Sequence, residues 1–171
     1  MPVIYAFSLA IVLLTGFATP VLAISAEDRE IYRDAFAAIE TGRYDKARKI
    51  AENAGDRLPA KVIHWLVLRK GNKLSEFAAL ADFIADNPDW PALHVLRRRA
   101  EEAVDSRVGD ERLISWFEKY PPLTGIGKLR FAEAQLRRGK TELGEKLLLE
   151  AWISGNFTRQ QERAFLRNHR G

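Results

Sequence analysis

Gly42-Arg43-Tyr44-Asp45-Lys46-Ala47 is the stretch on which the architecture turns. It separates two segments whose apolar residues recur with a period of 3.6. Before it, Tyr32, Phe36 and Ile39 share one helical face, Ser25 stands as N-cap with Asp28 three residues on, and Gly42 ends the helix. After it, a second helix spans about Tyr44–Ala54 and stops at Gly55. Glycine permits the tight turn, and the small Ala47 lets the two helices approach closely. Gly139-Lys140-Thr141-Glu142-Leu143-Gly144 repeats the device, with Gly at the junction and a small residue five later.

The same period runs between and beyond these junctions. A third helix near Pro59–Arg69 carries Val62, Ile63, Trp65, Leu66 and Val67, apolar nearly all round, which predicts burial. Phe77, Leu80, Ala81 and Ile84 mark a fourth, closed by Asn87-Pro88. The fifth starts near Pro91 and turns Leu93, Leu96, Ala100 and Ala103 inward. The sixth does so with Leu113, Trp116, Phe117 and Tyr120 before Pro121-Pro122. Leu129, Ala132 and Leu136 define the seventh, Leu143, Leu147 and Ala151 the eighth, and a short ninth covers Thr158–Asn168. No segment sustains a period of 2, so strands are not expected. The reading is an all-α chain with short connections: an irregular α-superhelix of antiparallel, tetratricopeptide-like helix pairs.

Residues 1–23 form a separate object. They contain no Lys, Arg, Asp or Glu; Ile4–Phe17 is apolar apart from small residues, Pro20 breaks any helix, and Val21-Leu22-Ala23 offers a signal-peptidase site. This is the pattern of a secretory signal peptide, although its n-region has only the amine of Met1 as positive charge. A retained membrane anchor is the alternative, and Pro20 fits it poorly. The expectation is cleavage after Ala23, an exported product with no membrane association after cleavage, and a single domain over residues 24–171.

The chain has 171 residues and a net charge of +4, with 27 basic and 23 acidic side chains. The densest basic spots, Arg97-Arg98-Arg99 and Arg137-Arg138, are mixed with acids such as Glu101-Glu102 and read as solvated helix faces. A nucleic-acid surface would need a one-sided basic stripe with aromatics between. There is no Cys, which excludes a thiol nucleophile, a disulfide framework and a Cys-ligated zinc site. His64, His94 and His169 lack ligand spacing, and His64 beside Trp65 reads as a core or boundary residue. Trp65, Trp90, Trp116 and Trp152 could stack sugars, but their helical spacing favours core packing. Neither a phosphate-binding Gly loop nor a Ser/His/Asp constellation is present.

One segment is distinctive. In Asn87-Pro88-Asp89-Trp90-Pro91, followed by Leu96-Arg97-Arg98-Arg99-Ala100-Glu101, the prolines stop helices, Asn87 and Asp89 can cap ends, and Trp90 is a large apolar plug. Downstream come Trp116-Phe117, Pro121-Pro122-Leu123-Thr124-Gly125, Ala132-Glu133-Ala134, Gly139, Ala151-Trp152, Phe157 and Phe165. In order and spacing, Ala26–Phe165 resembles the N-terminal superhelix of soluble lytic murein transglycosylases of the alphaproteobacterial type. The resemblance implies a periplasmic enzyme that cleaves peptidoglycan between muramic acid and glucosamine, leaving a 1,6-anhydro product. It also implies that the superhelix is a body carrying a C-terminal lysozyme-like catalytic domain. That domain's Glu-Ser and Gly-Leu-Met-Gln motifs do not occur here: no Glu precedes a Ser, and the only Met is Met1.

The expectation is therefore a non-catalytic scaffold with no catalytic, cofactor-binding or metal-binding residues. Its partners would be a glycan strand or the lysozyme-like domain, with no nucleic acid. A stand-alone periplasmic interaction module is the alternative; an active glycan-cleaving enzyme is disfavoured by the missing motif. The apolar Phe157, Ala164, Phe165 and Leu166 are expected to be left exposed near the C-terminus, with Thr158–Gly171 fraying.

Overall fold

The computed structural model describes residues 24–70 and 76–169. The leader expected at residues 1–23 lies outside the described residues. Every regular element among those described is a helix. They are α1 (Ala26–Glu40), α2 (Tyr44–Ala51), α3 (Arg57–Lys70), α4 (Phe77–Asp86), α5 (Leu93–Glu102), α6 (Asp110–Lys119), α7 (Gly125–Arg137), α8 (Thr141–Ser154) and α9 (Arg159–Asn168).

The two junctions are built alike. Gly42 and Gly139 adopt left-handed backbone, with φ of +72° and +76°. Arg43 N–H donates to the Ala38 carbonyl (2.8 Å) and Gly42 N–H to that of Ile39 (3.0 Å). At the second junction Lys140 N–H donates to the Gln135 carbonyl (2.9 Å) and Gly139 N–H to that of Leu136 (2.9 Å). Both are Schellman ends, in which the turn satisfies carbonyls the helix leaves open. Ala47 is fully buried in the α1–α2 pair. At the equivalent Gly144, a Cβ would meet Leu136 Cδ2 at 2.5 Å. The small residue is thus required by helix–helix distance.

Neighbours in sequence are not always neighbours in space. α1 packs on α2, α2 on α3, α4 on α5, α6 on α7 and α7 on α8. The odd-numbered helices also touch in series: α1 with α3, α3 with α5, and α5 with α7. α5 and α6, expected to pack as antiparallel neighbours, make no comparable backbone approach. After the linker, α6 meets α4 through the Phe77 and Trp116 rings, edge to face at 5.5 Å.

The apolar residues form three groups. Tyr32, Ala35, Ala38, Ala47, Ala51, Ile63 and Val67 join α1, α2 and α3. The central and largest group has Phe77, Leu80, Phe83, Ile84, Leu96, Leu113, Trp116 and Phe117 at its heart. Leu129, Ala151 and Phe165 hold α7, α8 and α9.

Several expectations need correction. α3 buries only Ile63, Val67 and Leu68, while Val62, Trp65 and Leu66 are half-buried at its margins. Leu143 is exposed, because the face of α8 turned to α7 runs through Gly144 and Ala151. Trp152 is 39% exposed, a rim residue on Phe165 rather than core. Phe165 is buried against Phe157 and Trp152 instead of being left open; Leu166 is the exposed one. α9 also opens with a capping box, in which Thr158 Oγ1 accepts from Gln161 N–H and Gln161 Oε1 from Thr158 N–H. That box supports the helix expected to fray.

Candidate functional site

The segment Asn87–Pro91 forms a joint between α4 and α5. Asn87 is buried, and its amide donates to the Phe83 carbonyl (2.8 Å), closing α4. Trp90 is half-buried with its ring edge to face on that of Phe83 (5.9 Å), and the Lys61 ammonium lies over the Trp90 ring at 5.5 Å. Trp65 Nε1 donates to the Pro91 carbonyl (3.1 Å), tying the joint to α3. Trp90 therefore acts mainly as a wedge, with one edge reaching the surface.

The arginine run downstream is only partly a solvated face. Arg97 donates to the Pro121 carbonyl (2.6 Å) and lies over the Tyr120 ring. Arg137 and Arg138 pair with Asp110 and Glu111 across to α6. Glu101, read as a surface acid, is 1% exposed. Its carboxylate accepts from Leu123 N–H (2.7 Å), Thr124 N–H (2.7 Å) and the Thr124 hydroxyl, capping the start of α7 from α5.

Asp28 does the same at the other end. The Ser25 hydroxyl accepts from Asp28 N–H as expected of an N-cap, but the Asp28 carboxylate reaches away from its own helix. It accepts from Gly55 N–H (2.8 Å) and Asp56 N–H (2.9 Å) in the turn before α3. The Tyr32 hydroxyl donates to the Asp56 carbonyl beside it.

Three clefts bear on chemistry. The largest, about 570 Å³, lies between the α5–α6 linker and α7 and is lined by Asp105, Asp110, Arg130, Glu133 and Arg137 among others. Its charges are already matched: Arg130 pairs with Glu133 (2.9 Å), Arg137 with Asp110 (2.6 Å), and Asp105 with Arg107 (2.7 Å). His169 lies 3.3 Å from Glu133. A second, about 450 Å³, presents Thr124, Ser154, Asn156, Thr158 and Gln161, with Arg98 and Glu102 at its margin. The third, about 340 Å³, lies between α2, α3 and α4. It holds His64, half-buried with its ring edge to face on Phe83 (5.4 Å). Burial, and then the charge of Arg48, hold that imidazole below its ordinary pKa.

The carboxylates with shifted acidity are all strengthened as acids. Asp28 is lowered by the Asp56 and Gly55 amides, Asp105 by Arg107, and Asp110 by Arg137. A glycosidase acid needs the opposite shift, so that it holds its proton near neutrality. These three groups are suited to capping and pairing. Among the described residues no group of three or more His, Asp or Glu is arranged to hold a metal ion.

The four tryptophans do not converge on one surface: Trp116 is buried in the central core, Trp65 stands on α3 with Trp90 in the joint before α5, and Trp152 lies by α9. His94 and His169 likewise stand apart from His64. No helix among the described residues is long and apolar enough to cross a membrane. Compared with known proteins, the chain matches no family model, no curated protein and no solved structure.

Proposed function

We propose that this chain is a non-catalytic α-superhelical scaffold that serves in the periplasm as part of a lytic transglycosylase acting on peptidoglycan. The observation that carries the reading is the Asn87–Pro91 joint, the most specific element of the family resemblance. It locks α3, α4 and α5 together through Trp90, Trp65 and Asn87. Such a joint is what a load-bearing body needs and a catalytic pocket does not.

Two further observations support it. The odd helices touch in series with the even helices packed beside them, the order a superhelix produces. The acids of shifted pKa are caps and ion-pair partners. In this reading residues 1–23 are the cleaved leader, residues 24–171 the body, and the glycan-cleaving chemistry belongs to a lysozyme-like domain.

Mass spectrometry of products released from purified sacculi tests the catalytic part. The chain alone is expected to release no 1,6-anhydro-muropeptides; their appearance above a blank would overturn it. Sequencing the N-terminus of the exported product tests location, with Ile24 expected first. A product retained at full length in the membrane would contradict it.

A second reading, a stand-alone periplasmic interaction module, draws on Leu149 and Ile153. They are 60% and 74% exposed on the side of α8 away from Ala151 and could receive another protein.

A further inference from the structure

We infer that the cleft between α2, α3 and α4 is a binding site for a small organic anion, held through a phosphate or carboxylate group. Its basic residues come from two helices. Arg57, Lys61 and His64 stand at i, i+4 and i+7, one face of α3, and Arg48 faces them from α2. Glu52 is the only carboxylate in the lining.

Six arginines elsewhere are committed to acids. Arg33, Arg107, Arg112, Arg130, Arg137 and Arg138 all have carboxylate partners. Among the described residues Arg48, Arg57 and Lys61 have none within 4.0 Å; Arg57 reaches only the Glu52 main-chain carbonyl (3.3 Å). Three cations without a carboxylate partner, against the single carboxylate of Glu52, leave an excess of positive potential around this concavity, which a bound anion would neutralise.

The rest of the lining sets the size and body of the ligand. Ala51, Ala60 and Phe83 supply an apolar wall. At about 340 Å³ the cleft is at the small end of ligand sites, with room for a monosaccharide-sized group. His64 adds a proton-linked contact. Its neutral form is favoured in the empty cleft by burial and Arg48. An anion beside it favours the charged form, so binding should tighten as pH falls through the His64 pKa. The charged groups around it are Arg48 and Glu52 from α2 and Arg57 and Lys61 from α3; α4 contributes the uncharged Phe83 and Asn87.

The site goes beyond the scaffold reading and does not depend on it, since its probes are small molecules and not sacculi. The test is heteronuclear NMR of the His64 imidazole in the whole chain, assigned with His64→Gln. Glucose 6-phosphate, glucuronate and uncharged glucose are titrated separately. At least one of the two anions should give a saturable shift and a rise in the His64 pKa, and the stronger identifies phosphate or carboxylate as the preferred group. Glucose should give neither. Arg48→Gln with Lys61→Gln, both exposed positions, should keep the helical circular dichroism spectrum and weaken binding about tenfold or more. No saturation by either anion at about 10 mM overturns the inference. So does an equal response to glucose, or unchanged affinity in the folded double variant.

Discussion

The Glu101 carboxylate occupies the space that a side chain at Gly127 would need: a Cβ built there stands 2.3 Å from Glu101 Oε2. The acid reaches the first turn of α7 only because position 127 is glycine. Gly127→Ala should therefore displace Glu101 and cost about 1–3 kcal/mol, the usual penalty for overfilling a packed site. Glu101→Gln keeps the shape but removes charge from an acceptor of two backbone amides, and should cost about 1–3 kcal/mol. Urea unfolding checks both, with exposed Glu102→Gln as the near-neutral comparison. If all three unfold alike, the cap contributes nothing.

Asp28 predicts how stability depends on pH. Its folded pKa is lowered by the Asp56 and Gly55 amides, so the folded state holds its proton less tightly than the unfolded chain does. The contribution is present above the ordinary carboxylate range and is lost as pH falls through the lowered value. Asp105 and Asp110 act in the same direction. Thermal melts from neutrality to strongly acidic pH should show falling Tm, and Asp28→Asn should flatten part of that fall. A parallel curve for the variant would show that the cap does not titrate with folding.

The backbone makes two predictions of opposite sign. Gly42 and Gly139 are left-handed with open space where a Cβ would stand, so alanine at either costs conformational energy alone, about 1–2 kcal/mol. Ala92, at the head of α5, is the one non-glycine residue of positive φ among the described residues, at +56°. Ala92→Gly should relieve that strain and stabilise the protein by up to about 1 kcal/mol. Denaturation midpoints moving in the same direction at all three sites would contradict this.

Trp90→Ala should cost more than about 1 kcal/mol but less than the about 3–5 kcal/mol of a fully enclosed tryptophan. The ring is half-buried, and its stabilising contacts are with Phe83 and Lys61. Unfolding measurements should also show Trp65→Phe to be destabilising, because it loses the hydrogen bond to Pro91. A Trp90→Ala protein as stable as the parent would remove the wedge from the fold.

The helices were legible because burial on a helix repeats locally: Leu80 and Ile84, or Leu113 and Phe117, announce their face within two turns. The Gly42 and Gly139 junctions were legible for the same reason. Glu101 was not, since its partners Leu123 and Thr124 lie on another element and no local pattern separates a buried acid from its solvated neighbour Glu102. α8 misled at Leu143 because Leu143, Leu147, Leu148, Leu149, Trp152 and Ile153 surround most of the helix, and only the close approach of α7 at Gly144 selects a side. The cleft at His64 needs α2, α3 and α4 at once. The spacing of Arg57, Lys61 and His64 puts them on one face of α3, but nothing in sequence brings Arg48 to face them. The capping box of α9 is local, Thr158-Arg159-Gln160-Gln161, whereas the expectation of fraying rested on the apolar residues that follow it.

The central claim, that this body works on peptidoglycan, is tested most directly by sedimentation of the purified chain with intact sacculi across a range of protein concentrations. With a glycan strand as the scaffold's partner, saturable retention in the pellet is expected to persist at physiological salt, where purely electrostatic attraction to an acidic polymer is largely screened. A chain that stays in the supernatant, or leaves the pellet as salt rises to that level, contradicts it.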